Sequence, residues 1–337
     1  MDRTKAKTLA IAFVTTLIAG CTQPGSAPDP VPLAAPLRIE RLDQDLFHSV
    51  GDTTGTLSLK LYAQYGEFYR VYVEQILQGA PVDDPRLPIV LASFTNDPDW
   101  SSAQRAVDST LGDMELQRSQ FEAAFGRLKA LFPDSLTPRI VAFNSGFNYG
   151  IVPTDSVLGI GAEWFIGKDQ PVIQYLAPEN FPQYVKDRMQ PTMLVPSAVK
   201  GWLMVHYTRD IRGADLLTNL VETGKVMVLL DALLPDTDPA LKLAFSPEQL
   251  KWCEANAFPM WKELLDKKML YSRKNDDIAR IMNDAPFTNG FPRESPGHIG
   301  EWIGLQMVRS YLDANPDVTL PQLFAMKDPA AILKAYK

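Results

Sequence analysis

The chain has 337 residues, 46% of them hydrophobic and 22% charged, the balance of a globular protein. Its formal net charge is −7 and it carries only two cysteines. An acidic body argues against binding nucleic acid or an anionic membrane surface through charge, and two cysteines exclude a disulfide-built scaffold.

Arg3, Lys5 and Lys7 precede an uncharged run from Thr8 to Gly20, and Leu17-Ile18-Ala19-Gly20 leads directly into Cys21. A charged start, a short apolar run and small residues before a cleavage point predict a bacterial secretory signal over residues 1–20. The run is shorter than the ~20 residues that a bilayer span needs. A Cys directly after Ile-Ala-Gly resembles the lipobox of bacterial lipoproteins. That resemblance implies a diacylglycerol on the Cys21 sulfur, removal of the signal, and acylation of the new amino group. The competing reading is an ordinary secretory signal with an incidental Cys. Several acyl chains on one residue anchor stably, since each buried CH₂ contributes ~0.8 kcal/mol. The mature chain would then carry 30 basic and 39 acidic residues, and Cys253 would have no partner for an intramolecular disulfide.

Residues 21–37 hold five prolines after the Cys and predict an extended, semi-rigid tether, reaching roughly 50 Å at ~3.1 Å per residue. The folded body is expected over residues 38–337 as one large domain. Leu57, Leu61, Tyr65, Phe68, Tyr69, Tyr72, Ile76 and Leu77 recur at helical spacing up to Gly79, an aromatic stripe that belongs in a core. Pro81, Pro85 and Pro88 are expected to break the chain. Helices follow near Ser102–Leu111 and around Gln117–Leu131, the second stopped by Pro133. From Arg139 the pattern changes. Ile140–Phe143, Ile151-Val152 and Val157–Gly161 are short apolar segments between turn signals and predict a small antiparallel sheet.

From Pro196 the chain reads as helical again. Ser246-Pro247-Glu248-Gln249 carries the residues of a capping box and starts a helix running toward Tyr271, with a break expected near Pro259. A short helix over Asp276–Asn283, a Pro/Gly-rich loop over Ala285–Gly297 and a helix over Ile299–Asn315 follow. In the last of these Trp302, Leu305, Val308 and Leu312 sit at core spacing. Thr319-Leu320-Pro321 and Asp328-Pro329 start two final short helices. No later apolar run is long enough to span a membrane.

The chemistry-bearing residues are sparse. The chain has three His, namely His48, His206 and His298, and no two lie at metal-ligand spacing. There is no Gly-x-Ser-x-Gly elbow and no phosphate-binding glycine loop. Cys253, beside Trp252 in a helical stretch, reads as a buried small hydrophobe. The loop Ser295-Pro296-Gly297-His298 precedes a helix start, where free N–H groups favour an anion; it is read either as a functional loop or as a structural turn.

Several stretches together resemble the GldB family of gliding-motility lipoproteins from Bacteroidetes. They are Leu216-Leu217 through Gly224-Lys225, Leu230–Pro235, Gln249–Cys253, Leu270–Ser272, Ala285–Phe287, and Ser295–Gly300 running into Val308–Tyr311. The resemblance implies a cell-envelope lipoprotein that supports gliding, facing the periplasm. The family is distantly similar to HExxH zinc proteases, which places that motif on Trp202–His206. Trp202 then stands at the first His position, Leu203 at the catalytic Glu position, and His206 alone survives, with Glu222 where a third ligand would be. Trp cannot bind zinc and Leu cannot take a proton. The fold expected is therefore mainly α with a small antiparallel β-sheet, resembling a degenerate zincin, with Trp202, His206, Glu222 and His298 marking a vestigial cleft. The function expected is a non-catalytic scaffold or partner-binding lipoprotein. Its partners would be the membrane through acylated Cys21 and envelope or gliding-machinery proteins. No cofactor and no nucleic acid are expected. The alternative is an envelope hydrolase, metal-dependent or otherwise, with an unrecognised active site.

Overall fold

The computed structural model describes residues 27–49 and 55–336. Among these, four short strands form one sheet in the order β1-β2-β4-β3. They are β1 (Ile39–Arg41), β2 (Arg139–Phe143), β3 (Ile151–Pro153) and β4 (Val157–Gly161). β1 pairs parallel with β2, placing Ile39 opposite Ile140, and β2 pairs parallel with β4, placing Arg139 opposite Val157. Only β3 and β4 are antiparallel. The sheet is thus mixed, which corrects the antiparallel expectation. Adjacent strands suggest adjacent pairing, but β4 is buried at all five positions and takes the interior place. A strand covered on both faces is the usual member of a parallel ladder. β1 is a strand because its partner lies about a hundred residues on, a pairing that no local pattern encodes.

The strands divide the interior by their two-residue period. Val141, Phe143 and Val157 face a smaller cluster, while Ile140, Ala142, Leu158 and Ile160 face the main one. The smaller cluster comes from α1 (Leu42–Phe47), α2 (Thr56–Tyr65), α3 (Glu67–Val71) with a π-turn over Tyr72–Ile76, and α4 (Leu87–Asn96). The aromatic stripe Tyr65, Phe68, Tyr69 and Tyr72 is buried there, as expected. It does not lie on one helix, however, because Gly66 (φ +58°, ψ −137°) breaks the run after α2. Pro88 starts α4 instead of breaking the chain, since a first-turn position needs no N–H partner.

The other face is covered by the remaining helices. α5 (Pro98–Leu111) is capped by Asp97, and α6 (Glu115–Leu131) stops before Pro133. Short α7 (Pro171–Gln174) and α8 (Gln183–Lys186) lead to α9 (Leu194–His206) and α10 (Leu216–Leu233). α11 (Pro239–Leu243) precedes α12 (Pro247–Ala255), which starts at the predicted capping box of Ser246 and Gln249. The break expected near Pro259 falls at Asn256, three residues before it. Pro259 sits in the first turn of α13 (Ala257–Asp266), where its missing N–H costs nothing. α14 (Asn275–Met282), α15 (Ile299–Ala314), α16 (Leu320–Ala325) and α17 (Pro329–Leu333) complete the chain.

α10 and α15 form the centre of this layer. α10 is buried nearly all round, as a helix apolar on every side must be. Trp302 and Val308 on α15 are buried, as their spacing predicts. The two backbones touch where glycines face each other: a Cβ on Gly224 would lie 2.2 Å from the Gly304 carbonyl oxygen, and one on Gly304 2.0 Å from that of Leu220.

Candidate functional site

Cys21 lies outside the described residues. Of the other residues singled out in the sequence, α9 brings two together. Trp202 is 1% exposed, packs edge-on against Phe125 at 6.3 Å, and stacks on His206 one turn later at 3.7 Å. His206 Nε2 lies 3.0 Å from the Thr154 carbonyl oxygen. Glu222, on α10, is committed elsewhere: Lys225 Nζ approaches its Oε1 at 2.9 Å and Arg209 Nε at 3.1 Å. Lys225 also donates to the Met326 carbonyl at 2.7 Å.

His298 caps α15 in the left-handed region (φ +38°). Its Nδ1 lies 3.0 Å from Asp284 Oδ1 and its Nε2 3.0 Å from the Leu243 carbonyl. Burial pushes the Asp284 carboxyl up, but the His298 hydrogen bond and the Arg188 charge outweigh it and hold the group at about 2. The preceding Ser295 bonds within its own loop, its Oγ donating to the Pro292 carbonyl at 2.7 Å. The loop is thus bound into the fold as a turn. Among the described residues no group of three or more His, Cys, Asp or Glu is placed to hold a metal ion.

Sequence reasoning passed over a second constellation, just beyond the carboxyl ends of the three parallel strands. That edge is where open α/β sheets place their functional groups. Arg41 ends β1 and Asp43 follows it, Asn144 and Ser145 follow β2, and Glu163 follows β4. Glu163 is fully buried. Its Oε1 accepts hydrogen bonds from Ser145 N (2.8 Å), Ser145 Oγ (2.6 Å) and Phe147 N (3.1 Å). Its Oε2 has no partner among the described residues. Burial pushes the carboxyl up to about 7, against the pull of those three bonds. Asn144 donates to Gln104 at 3.3 Å, Gln104 to Asp43 at 2.9 Å, and Arg41 clamps Asp43 with two bonds of 2.9 and 2.7 Å. Tyr72 OH donates to the Asn144 carbonyl at 2.7 Å, tying this edge to the aromatic stripe. No spacing rule joins residues 43, 104, 144 and 163; only the parallel pairing does.

The raised Glu163 has a measurable consequence. Its folded carboxyl titrates near 7 and its unfolded one near 4.5. Between these values the folded state holds more protons, so stability falls as pH rises through this window. At 1.36 kcal/mol per unit the full loss is up to about 3 kcal/mol. Urea unfolding midpoints from pH 4.5 to 7.5 are expected to decline for the native chain. Glu163→Gln should lack that decline, and an identical slope in both proteins would place the titration elsewhere.

A third feature lies between α10, α11, α12 and α15. A small cavity of about 90 Å³ is lined by Met227, Leu243, Leu250, Trp302 and Leu305. At its rim Asp231 holds both Lys242 and Arg309, each at 2.6 Å. The family model described as the gliding motility protein GldB matches residues 26–337. The chain belongs to the GldB family. No curated protein and no solved structure matches it.

The stretches that carry the GldB resemblance converge in space. Leu230–Pro235 meets Val308–Tyr311 through the Asp231–Arg309 pair. Leu216 and Leu217, opening α10, donate their N–H groups to the carbonyls of Ser272 (3.0 Å) and Leu270 (2.8 Å). Ser295–Gly300 joins α11 through the contact of His298 with the Leu243 carbonyl. The GldB-like stretches thus include parts of α10 and α15 themselves together with a segment bonded to the start of α10. No described helix is long and apolar enough to cross a membrane.

Proposed function

We propose that this GldB-family chain is a non-catalytic envelope lipoprotein that supports gliding motility as a scaffold or partner-binding component. In this reading acylated Cys21 holds it to the membrane, with its body facing the periplasm. The observation that carries the reading is the state of the residues aligned with HExxH ligands. Trp202 is core, His206 faces a backbone carbonyl, and Glu222 lies against two cations. The Nε2 contact leaves the His206 Nδ1 lone pair free, but Trp202 supplies no ligand, Leu203 no base, and among the described residues no group of three or more His, Cys, Asp or Glu is placed to hold a metal ion. The zinc-protease resemblance belongs to this proposal as ancestry only, a degenerate zincin without its chemistry.

Two variants test it in cells that glide. Cys21→Ser is expected to remain unacylated and to leave the membrane fraction or persist as precursor, read by mass spectrometry of the N-terminal peptide. His206→Ala is expected to fold, stay anchored and retain gliding, because a scaffold depends on shape and surface. Loss of gliding in a folded, anchored His206→Ala protein would overturn the non-catalytic reading and favour the hydrolase. Acyl groups on the Cys21→Ser chain would overturn the anchor.

A further inference from the structure

Residues 27–37 lie on the body. Prolines at 28, 30 and 32 leave Val31 one of the few backbone donors in this stretch, and its N–H donates to the Gly126 carbonyl of α6 at 3.3 Å. Gly126 lies inside a 17-residue helix, where alanine would be the better helix former. Its missing side chain has a local reason. A Cβ there would come 2.7 Å from the Val31 carbonyl oxygen and 3.0 Å from Pro30 Cβ. Further on, Leu33 packs against the main core and Leu37 is buried in it, before β1 enters the sheet. The segment is fastened by one backbone bond, a helix notch and two leucines.

We infer that this strap fixes the body close to the bilayer, within short reach of the lipid headgroups. The inference rests on the reading of Cys21 as the acylated residue. Only residues 21–26 then bridge lipid and body. A chain spans at most ~3.3–3.6 Å per residue, so six residues reach about 20 Å. The whole stretch 21–37, free and extended, would reach roughly 50 Å. The strap removes more than half of that reach. The part of the body that carries the strap, at Pro30 and Val31 on α6, is thereby held near the headgroups.

The test uses the chain from Cys21 onward, coupled through its Cys21 thiol to a maleimide-bearing lipid in a supported phosphatidylcholine bilayer. Cys253 does not compete: burial pushes its thiol up to about 12. Neutron reflectometry reads the water layer between headgroups and protein. The native chain is expected to show a layer no thicker than ~20 Å. Gly126→Trp fills the notch and expels the strap, and should at least double the layer. Val31→Pro combined with Leu33→Asp removes the donor and one of the two leucines, leaves α6 untouched and should shift it the same way. A native layer well above ~20 Å overturns the inference, as do equal layers in the native chain and a folded Val31→Pro/Leu33→Asp chain. Because the coupling is chemical, these results do not depend on acylation in the cell. Mass spectrometry of the cell-made protein reads that separately, so failure of the anchor and failure of the strap are distinguishable.

Discussion

Replacing Glu222 by alanine is expected to cost about 3–5 kcal/mol of stability. Glu222 and Lys225 have side chains only 5% and 2% exposed, one turn apart on the most buried helix of the fold. Removing the carboxylate leaves the Lys225 ammonium with the Met326 carbonyl as its remaining bond, and strips Arg209 of its partner. An uncompensated buried charge is the costly species, far more than the loss of the pair itself. The double variant Glu222→Ala/Lys225→Met should therefore recover most of the loss, since no charge stays unpaired in the core. Denaturant midpoints of the native chain and of the single and double variants read the difference. A single variant within about 1 kcal/mol of native would mean that water reaches Lys225 in spite of its burial. This result bears on function. Loss of gliding in Glu222→Ala alone would report unfolding, so a ligand role has to be sought against the double variant.

Gly304→Val is expected to cost more than about 3 kcal/mol, at or beyond the upper end for overpacked cores. The Cβ position is 2.0 Å from the Leu220 carbonyl oxygen, and the obstacle is helix backbone, which cannot rotate away as a side chain can. α10 and α15 would have to separate along their length. That would pull apart the Asp231–Arg309 bridge at one end and the cluster around Trp302. Valine forms helices better than glycine by less than ~1 kcal/mol, too little to offset the clash. The observable is the thermal unfolding midpoint, which should drop by roughly 6 °C or more at ~2–4 °C per kcal/mol for large domains. A midpoint within a degree or two of native would show that the two helices can slide past the contact.

Much of the helical framework was legible because its signals are local. Ser246 with Gln249 forms the expected reciprocal cap, and Thr319, expected only to start a helix, forms one with Gln322, each complete within one turn. The apolar spacing from Ile299 onward marks α15 and correctly buries Trp302 and Val308. The 57–77 aromatic run was legible as core but not as two helices with a π-turn, because apolar spacing continues through Gly66 while the backbone does not. Pro259 marked the neighbourhood of the helix break but not its position. Proline excludes a helix interior but suits a first turn, and the actual break is set by Asn256 just before it.

The mainly helical class and many of the helix starts were determined by the sequence alone, because each is written in residues a few positions apart. Only the tertiary structure decided the sheet's direction, since β1 and β2 lie about a hundred residues apart and a three-residue strand carries almost no pattern of its own. It alone brought Asp43, Gln104, Asn144 and Glu163 to one edge and removed water from Glu163, which raises that carboxyl. It alone engaged Glu222 with Lys225 and Arg209, and laid residues 27–37 across Gly126. Burial and long-range pairing are properties of the packed chain. A carboxylate at the end of a buried strand reads in sequence like one facing solvent, and only the neighbours that folding supplies tell them apart.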